Sequence, residues 1–524
     1  MARSPATLLA LDIGTTEARA TVRSLDGHVM ARGHNRHELV FAGNDRVEID
    51  PWELVRSMTA ALGAVQEHAA EVAAVALAAE LGTVLADAEL RPLGNAVCWP
   101  DKRAWREATW ISGEIGRDSI YTTTGRVVDP ELPAAKYLWV KHNEPERAKQ
   151  ARWLLSIKDF LVAMLCGQAV TDETHASYSM LFDVRRRRWA VDLAHSVGID
   201  PALLPPVRPA PSLAGTVTAQ AAAVTGLRKG TPVAVGGPDG TVGTVGAGLV
   251  RVGVTTDLIG TADVVFHGTG EPVFDPAQRA VVNAHAVPGM WAVGGPTGTT
   301  GGTVAKVASL LGLDAGSRGL AALDDLAASV RAGSDGLAFM TSLAGDRFPA
   351  WDPAAAGVVF GLRLDHGRGH LARAALEGAA YTLRGALDVY RELGLKVETV
   401  RVAGGGSRSS LWCQLRADVC GTRLVVVDVS EATSLGATML AAVCAGLAPD
   451  LAQLGDSLVS AGAPVVPVPG SVTAYEALYA DYKLLRSELT TGLSFWSSRQ
   501  RQVEGAARRD RATLPVDHDE GASR

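Results

Sequence analysis

The chain has 524 residues, a formal net charge of −6, 47% hydrophobic and 20% charged residues. That length predicts about two or three domains of roughly 100–200 residues each, large enough to bury full cores without metal or disulfide staples. The composition excludes a wholly disordered chain, and the acidic balance argues against nucleic acid or an anionic membrane as the main partner.

Residues 7–22, TLLALDIGTTEARATV, read as a strand, a tight Gly-Thr-Thr turn and a second strand. Helical periodicity is predicted over 51–70, a short buried strand over 72–77 and a short helix over 159–165. The basic run 185–188 reads as a solvated turn. Residues 233–237 form a further strand candidate, ending in Gly-Gly-Pro-Asp-Gly. A second strand–turn–strand, VGVTTDLIGTADVVFH, occupies 252–267, again with Asp shortly before Gly-Thr. A single Gly-Thr turn is common hairpin chemistry. Two, each opening about half of the chain, point to a duplicated architecture in which a hairpin from each half faces a shared site. A helix over 370–393, a strand over 399–402 and a helix over 410–419 complete an α/β pattern. The expected domains are 1–249 and 250–492, divided within the small-residue stretch 246–253. The polar, nonperiodic segment 493–524 is expected to be a disordered tail.

The five cysteines, Cys98, Cys166, Cys413, Cys420 and Cys444, are scattered and never form C-x-x-C. Neither a disulfide framework nor a Cys-rich zinc site is expected, and a reduced, cytoplasmic setting fits. Asp12 interrupts the apolar run 8–11, against a signal peptide. Residues 231–250 are poor in charge but rich in Gly and contain Pro238 and Asp239, so they do not read as a membrane span.

The sharpest local signal is Asp12-Ile13-Gly14-Thr15-Thr16. A Gly turn brings backbone N–H groups close to an anion, and the two hydroxyls add donors; such concavities bind phosphate. Asp12 can hold Mg²⁺, usually through water, and Arg19 can add positive charge. Neither G-x-x-x-x-G-K-[ST] nor G-x-G-x-x-G occurs, which removes the P-loop and dinucleotide readings. The 56 glycines are expected largely where phosphate must approach the backbone.

The ordered motifs point to a family. They are LDIGTT at 11–16, W-x-D-x-R at 99–103, VTDETHAS at 170–177, GGPDG at 236–240, LIGTAD at 258–263, HAVPGMW at 285–291, GDRFPAWDP at 345–353, AGGGSRSSLWCQLRADV at 403–419 and EATSLGATMLA at 431–441. The chain resembles the FGGY carbohydrate kinases from about residue 8 to about residue 485. The resemblance implies a duplicated actin-like (ribonuclease H-like) ATPase fold, with two domains around a central cleft. It implies ATP with Mg²⁺, and a small sugar or polyol as acceptor, with no nucleic acid and no membrane; a homodimer is compatible with it.

By the same resemblance Asp239 is the catalytic base, taking a proton as a hydroxyl attacks the γ-phosphorus. The competing reading is a turn Asp beside Gly240. Thr15, Thr16 and Arg19, with Gly260 and Thr261 of the second hairpin, are implied at the phosphates. Ala262 stands where many relatives carry Ser, and the Glu17 carboxylate would repel phosphate unless it points away or meets Mg²⁺. Gly404, Gly405, Gly406 and Ser409 match an adenosine-binding turn, and Gly301 another nucleotide contact; a strand-to-helix turn and a helix start are the structural alternatives. Trp99, Asp101 and Arg103 match a segment near the sugar, where Trp99 would stack and Asp101 and Arg103 would bracket hydroxyls. Their alternative is a core Trp beside a surface ion pair. Glu80 and Leu81, followed by Gly82, occupy a substrate loop where xylulose kinases usually carry Gln-Met-His, so D-xylulose is not expected to be the best acceptor. A filament or chaperone ATPase on the same fold is disfavoured by the GG-x-D and W-x-D-x-R motifs, and a sugar sensor without turnover by the presence of Asp12, Thr15, Thr16 and Asp239.

Overall fold

The computed structural model describes residues 6–489 apart from positions 42, 44, 70, 315, 354 and 430. The tail expected over 493–524 lies outside them. Two seven-stranded sheets carry the molecule. The first contains β1 (Thr7–Ile13), β2 (Glu17–Ser24), β3 (Val29–Arg36), β4 (Val72–Ala79), β5 (Leu213–Thr216) and β6 (Pro232–Ala234), in the order β5-β6-β4-β1-β2-β3, with Gly237–Pro238 also paired to β4. The second contains β7 (Thr255–Ile259), β8 (Asp263–Thr269), β9 (Val281–Ala284), β10 (Trp291–Pro296), β11 (Thr399–Ala403), β12 (Arg423–Val427) and β13 (Ala461–Val465), in the order β13-β12-β11-β7-β8-β10-β9.

Strand directions repeat along both orders. Each sheet runs through an antiparallel edge pair, two parallel pairs, the antiparallel Gly-Thr hairpin and a further antiparallel strand. The duplication inferred from two short hairpins therefore extends through the whole architecture.

Strand β1 is buried on both faces, which is why it reads as a nearly unbroken apolar run. Leu9, Leu11 and Ile13 meet the helices α1 (Pro51–Gly63) and α2 (Ile157–Cys166). Asp50 caps α1 through its side chain, Pro51 occupies the first turn, and Leu54, Met58, Ala61 and Leu62 form the buried stripe. The helix expected over 51–70 is broken after Gly63 and resumes only as a turn at Gln66–Ala69.

The other face of the first sheet is built of small residues. Ala10, Ala74, Ala76 and Ala78 let a helix from the second half lie against it. Among the further helices are, in chain order, α3 (Asp239–Gly246), α4 (Thr300–Leu310), α5 (Arg368–Glu392), α6 (Ser410–Cys420) and α7 (Ala432–Cys444). It is α7 that packs on the alanine face, through Leu435, Met439 and Leu440. It crosses α3 with backbones nearly touching: a Cβ on Gly246 would strike the Ala432 carbonyl, and one on Gly436 the Val242 carbonyl. Helices α5 and α6 cover the outer face of the second sheet.

The basic run departs from expectation. Residues 185–187 do form a turn, with Arg188 opening a short strand, but the Arg187 side chain is largely covered. It pairs with Glu173, donates to the Met290 carbonyl at 3.1 Å and lies 4.8 Å over the Trp291 ring, tying the two halves together.

Candidate active site

A cavity of about 450 Å³ lies between the halves, at the carboxyl ends of the parallel strands. Register explains what stands there. Ile13 pairs with Ala79, and Pro238 pairs with the same Ala79, so three neighbouring strand ends release Gly14, Glu80 and Asp239 side by side. Asp12 sits one step back, beside Ala78 and across from Arg19.

Asp239 is the first residue of α3 and lines the cavity. Burial raises its pKa, while the Gly240 N–H, donating to Oδ1 at 2.6 Å, opposes the rise. A helix N-terminus also favours a carboxylate. Asp12 is buried; burial and then Asp239 push its pKa up to about 7, against the pull of Arg19, whose Nη1 is 3.4 Å from Oδ2. Arg19 is shared: its Nη2 lies 2.6 Å from Glu17, which also meets His34 Nδ1 at 3.1 Å. Glu17 is thus engaged by two basic side chains.

Of the first turn, Thr15 reaches the cavity, with Oγ1 accepting from Trp99 Nε1 at 3.1 Å. Thr16 is exposed and outside the cavity wall, and its carbonyl receives the His37 N–H.

Glu80 and Leu81 both line the cavity. Glu80 is 3% exposed, its Oε2 has no hydrogen-bond partner among the described residues, and burial raises its pKa to about 7, with Lys136 opposing and Asp239 adding to the rise. Gly82 serves packing, since a Cβ there would strike Ile157.

Asp101 and Arg103 stand elsewhere. Neither lines the cavity, contrary to the expectation that they bracket sugar hydroxyls. Asp101 is fully buried, accepts the Val47 N–H at 2.7 Å and is forked by Arg103 at 2.7–3.0 Å; Arg103 also meets Glu48 at 2.6 Å. The alternative of a surface pair also fails, because both side chains are buried. They brace the loop that carries Trp99. Arg347, from the second half, lies 4.7 Å over the Trp99 ring and is held by Glu131 at 2.9 Å. One face of the ring is therefore met by a guanidinium.

In the second half, Thr261 is exposed on the cavity wall beside Gly260. Gly301 is needed for α4 to approach this hairpin, because a Cβ would strike the Gly260 carbonyl. Gly404, at φ 94°, and Gly406 pack against Ile259, whereas Gly405 faces open space. Ser409 is buried and caps α6, accepting the Trp412 N–H at 2.9 Å. Of the glycines expected at the nucleotide, Gly301 and Gly404 thus approach other backbone and Gly406 approaches side chains.

Residues 7–246 match the N-terminal domain of the FGGY family of carbohydrate kinases, and residues 258–445 match its C-terminal domain. The chain belongs to this family. It is 28% identical to a xylulose kinase of Bacillus subtilis, over 91% of this chain and 96% of that one. It is 28% identical to a gluconokinase of Bacillus licheniformis over 84% and 88%, and 32% identical to an autoinducer-2 kinase of Klebsiella pneumoniae over 96% and 98%. The solved xylulose kinase of Rhodospirillum rubrum, 29% identical, superposes with a TM-score of 0.84 over 93% of this chain and 99% of that one. The gluconate kinase of Lactobacillus acidophilus, 24% identical, shares the fold with a TM-score of 0.88 over 94% and 100%. The duplicated actin-like architecture is that of these kinases. This FGGY kinase is a phosphotransferase with an alcohol group as acceptor, and ATP is its phosphoryl donor. Among the described residues, no helix is long and apolar enough to cross a membrane.

Several wall residues of the kinase escaped the sequence reading. Arg126 and His175 line the cavity, and Lys136 Nζ lies beneath it, donating to the Cys98 carbonyl at 2.7 Å. The VTDETHAS motif contained His175, but its pattern emphasised the flanking residues. Lys136 and Arg126 carried no local signal, because their partners come from distant segments.

Proposed function

We propose that this kinase transfers the γ-phosphoryl group of ATP to a hydroxyl of a small sugar or polyol held against Glu80, Leu81 and Trp99, with Asp239 as the base. The observation that carries this reading is the place of Asp239. It stands at a strand end, on the cavity wall, in register with Glu80 and at a helix N-terminus. The acceptor hydroxyl would give its proton to Asp239 as it attacks phosphorus, and the enclosed cleft would keep water from competing.

The two turns at 14–16 and 260–262 would face the phosphates, with Thr15, Thr16, Gly260 and Thr261 as donors and Arg19 as nearby charge. Gly405 leaves backbone open to the adenosine, on a turn built by Gly404, Gly406 and Ser409, with Gly301 holding α4 to the second hairpin. Asp12 fits Mg²⁺, being a buried carboxylate whose ion-pair partner Arg19 is 3.4 Å away and shared with Glu17. When bound, that ion would neutralise charge on the phosphates. The division at 249/250 falls between α3 and β7 and is kept as the proposed domain boundary. The five cysteines, all unpaired, support a cytoplasmic setting.

The Glu80-Leu81-Gly82 loop supports an acceptor other than D-xylulose. A signalling sugar is the second reading, favoured by 32% identity to an autoinducer-2 kinase over 96% of the chain. Acceptor-dependent ADP release across a panel of ketoses, polyols, aldonates and autoinducer-2 tests both. Release with no member of the panel overturns the first, and D-xylulose giving the highest kcat/KM overturns the loop argument.

A further inference from the structure

Glu80 Oε2 is not alone on the cavity wall in lacking a hydrogen-bond partner. His175 is 6% exposed, lines the cavity, and its Nε2 is buried without a hydrogen bond among the described residues. Its other nitrogen is fixed. Nδ1 lies 2.6 Å from Asp172 Oδ1, while the N–H groups of Thr174 and His175 donate to Oδ2 at 2.9 and 3.1 Å. Burial alone would raise the Asp172 pKa, yet the Lys158 ammonium, 3.0 Å away, and His175 hold it far below the ordinary carboxylate value.

An ionised carboxylate only accepts, so the proton sits on Nδ1. In the neutral imidazole Nε2 is then a lone-pair acceptor. A buried acceptor left unmet is unfavourable, and Glu80 Oε2 on the same wall is a second one.

A metal is the obvious alternative, since ligand atoms of Asp159, Asp172 and His175 lie within 4.8 Å of one another. Lys158 Nζ, however, sits 2.6 Å from Asp159 and 3.0 Å from Asp172. The ammonium already supplies the cation there.

We propose that His175 determines acceptor specificity: Nε2 accepts a hydrogen bond from a substrate hydroxyl other than the one phosphorylated, and Asp172 is its positioning residue. The site thereby selects an acceptor that carries a hydroxyl at that carbon over one with a methylene or an ether there. This rests on the reading of the cavity as the acceptor site.

The test uses the full chain, its best acceptor from the panel, and singly deoxygenated analogues of that acceptor. One analogue, lacking a hydroxyl that is not phosphorylated, should lose about 10–100-fold in kcat/KM with the wild-type enzyme, since it leaves a buried acceptor unpaired. His175→Leu should raise the acceptor KM by a similar factor, leave the KM for ATP within about twofold, and treat parent and analogue alike. His175→Gln, which keeps a side-chain acceptor, should recover much of the loss. If every such analogue is used as well as the parent by the wild type, the proposal is overturned without any variant. It is also overturned if His175→Leu folds and still discriminates as the wild type does, or if it loses kcat on all acceptors with KM intact. No turnover of any acceptor by the wild type removes the acceptor-site reading itself and this inference with it.

Discussion

The two Gly-Thr hairpins share a signature and differ in what lies beneath it. In the first, Asp12 is buried close enough to Asp239 to feel its charge, and its ion-pair partner Arg19 is 3.4 Å away and shared with Glu17. In the second, Asp257 and Asp263 are both fully buried around Arg416 of α6, at 2.6 and 2.7 Å. Burial and the neighbouring Asp263 raise the Asp257 pKa, and Arg416 holds against them. The duplicated backbone thus carries a carboxylate with a shared partner in one copy and a buried ion triad in the other.

The sharpest way to break this contrast is at the cleft. Asp239→Asn keeps the shape but cannot accept a proton, and kcat should fall by about 10²–10⁴-fold, with nucleotide affinity and Tm nearly unchanged. Near-normal turnover in steady-state assays would remove Asp239 as base. At the triad the effect should appear in stability. Arg416→Met strands two buried carboxylates, for a loss of about 3–5 kcal/mol, read as a fall in denaturation midpoint. Asp257→Asn, which neutralises one of two carboxylates sharing a single guanidinium, should be far milder. Equal losses from the two variants would show that the triad is not the unit argued here.

Asp12→Asn sharpens the same contrast from the other copy. Removing one preorganised electrostatic group typically lowers kcat by about 10²–10³-fold, and Tm should not fall, because no buried triad is broken. A drop in Tm like that of Arg416→Met would make Asp12 structural too.

How much of this was legible in the sequence depends on distance along the chain. The hairpins, the Gly-Pro-Asp-Gly strand end and most element spans were readable, because turn chemistry and periodicity are local. Arg416 lay inside a motif read for its glycines, and its partnership with Asp257 and Asp263 exists only after α6 folds onto β7 and β8. Lys158 likewise meets Asp172, the cap of the short helix that carries His175, only after folding. Glycine misled for a physical reason: a residue without Cβ suits a phosphate and a neighbouring backbone equally. Gly301, Gly404 and Gly406 turned out to meet backbone or side chains, and only Gly405 of that set is open. Asp101 and Arg103 show the converse, two charges that suggested a ligand and satisfy each other.

Glu80 offers a pH test of the cleft side. With its pKa raised to about 7, chiefly by burial, it is mostly protonated at pH 6 and mostly ionised at pH 8. If it accepts from an acceptor hydroxyl, the acceptor KM should improve by up to roughly tenfold across that range, and Glu80→Gln should flatten the step. The stability sign runs the other way. A carboxyl whose folded pKa lies above its unfolded value loses stability as pH rises from about 4.5 to about 7. Glu80→Gln should therefore raise Tm at pH 8 and leave it unchanged at pH 4. A wild-type-like pH profile in the variant would assign the step to another group.

The smallest expected effect compares the two turn hydroxyls directly. Thr15 Oγ1 accepts from Trp99, so Thr15→Ala also frees an indole N–H and disturbs the loop carrying Trp99. Thr261 stands exposed on the cavity wall. Thr261→Ala should then remove one phosphate donor and nothing else. One hydrogen bond of this kind contributes about 0.5–1.5 kcal/mol, or roughly 2–12-fold in the KM for ATP, with acceptor KM and Tm unmoved. Thr15→Ala should change both the ATP and the acceptor constants, because Trp99 connects the turn to the acceptor wall. If Thr261→Ala leaves ATP kinetics untouched, the second hairpin is scaffold alone, and the phosphate-facing role belongs to the first copy.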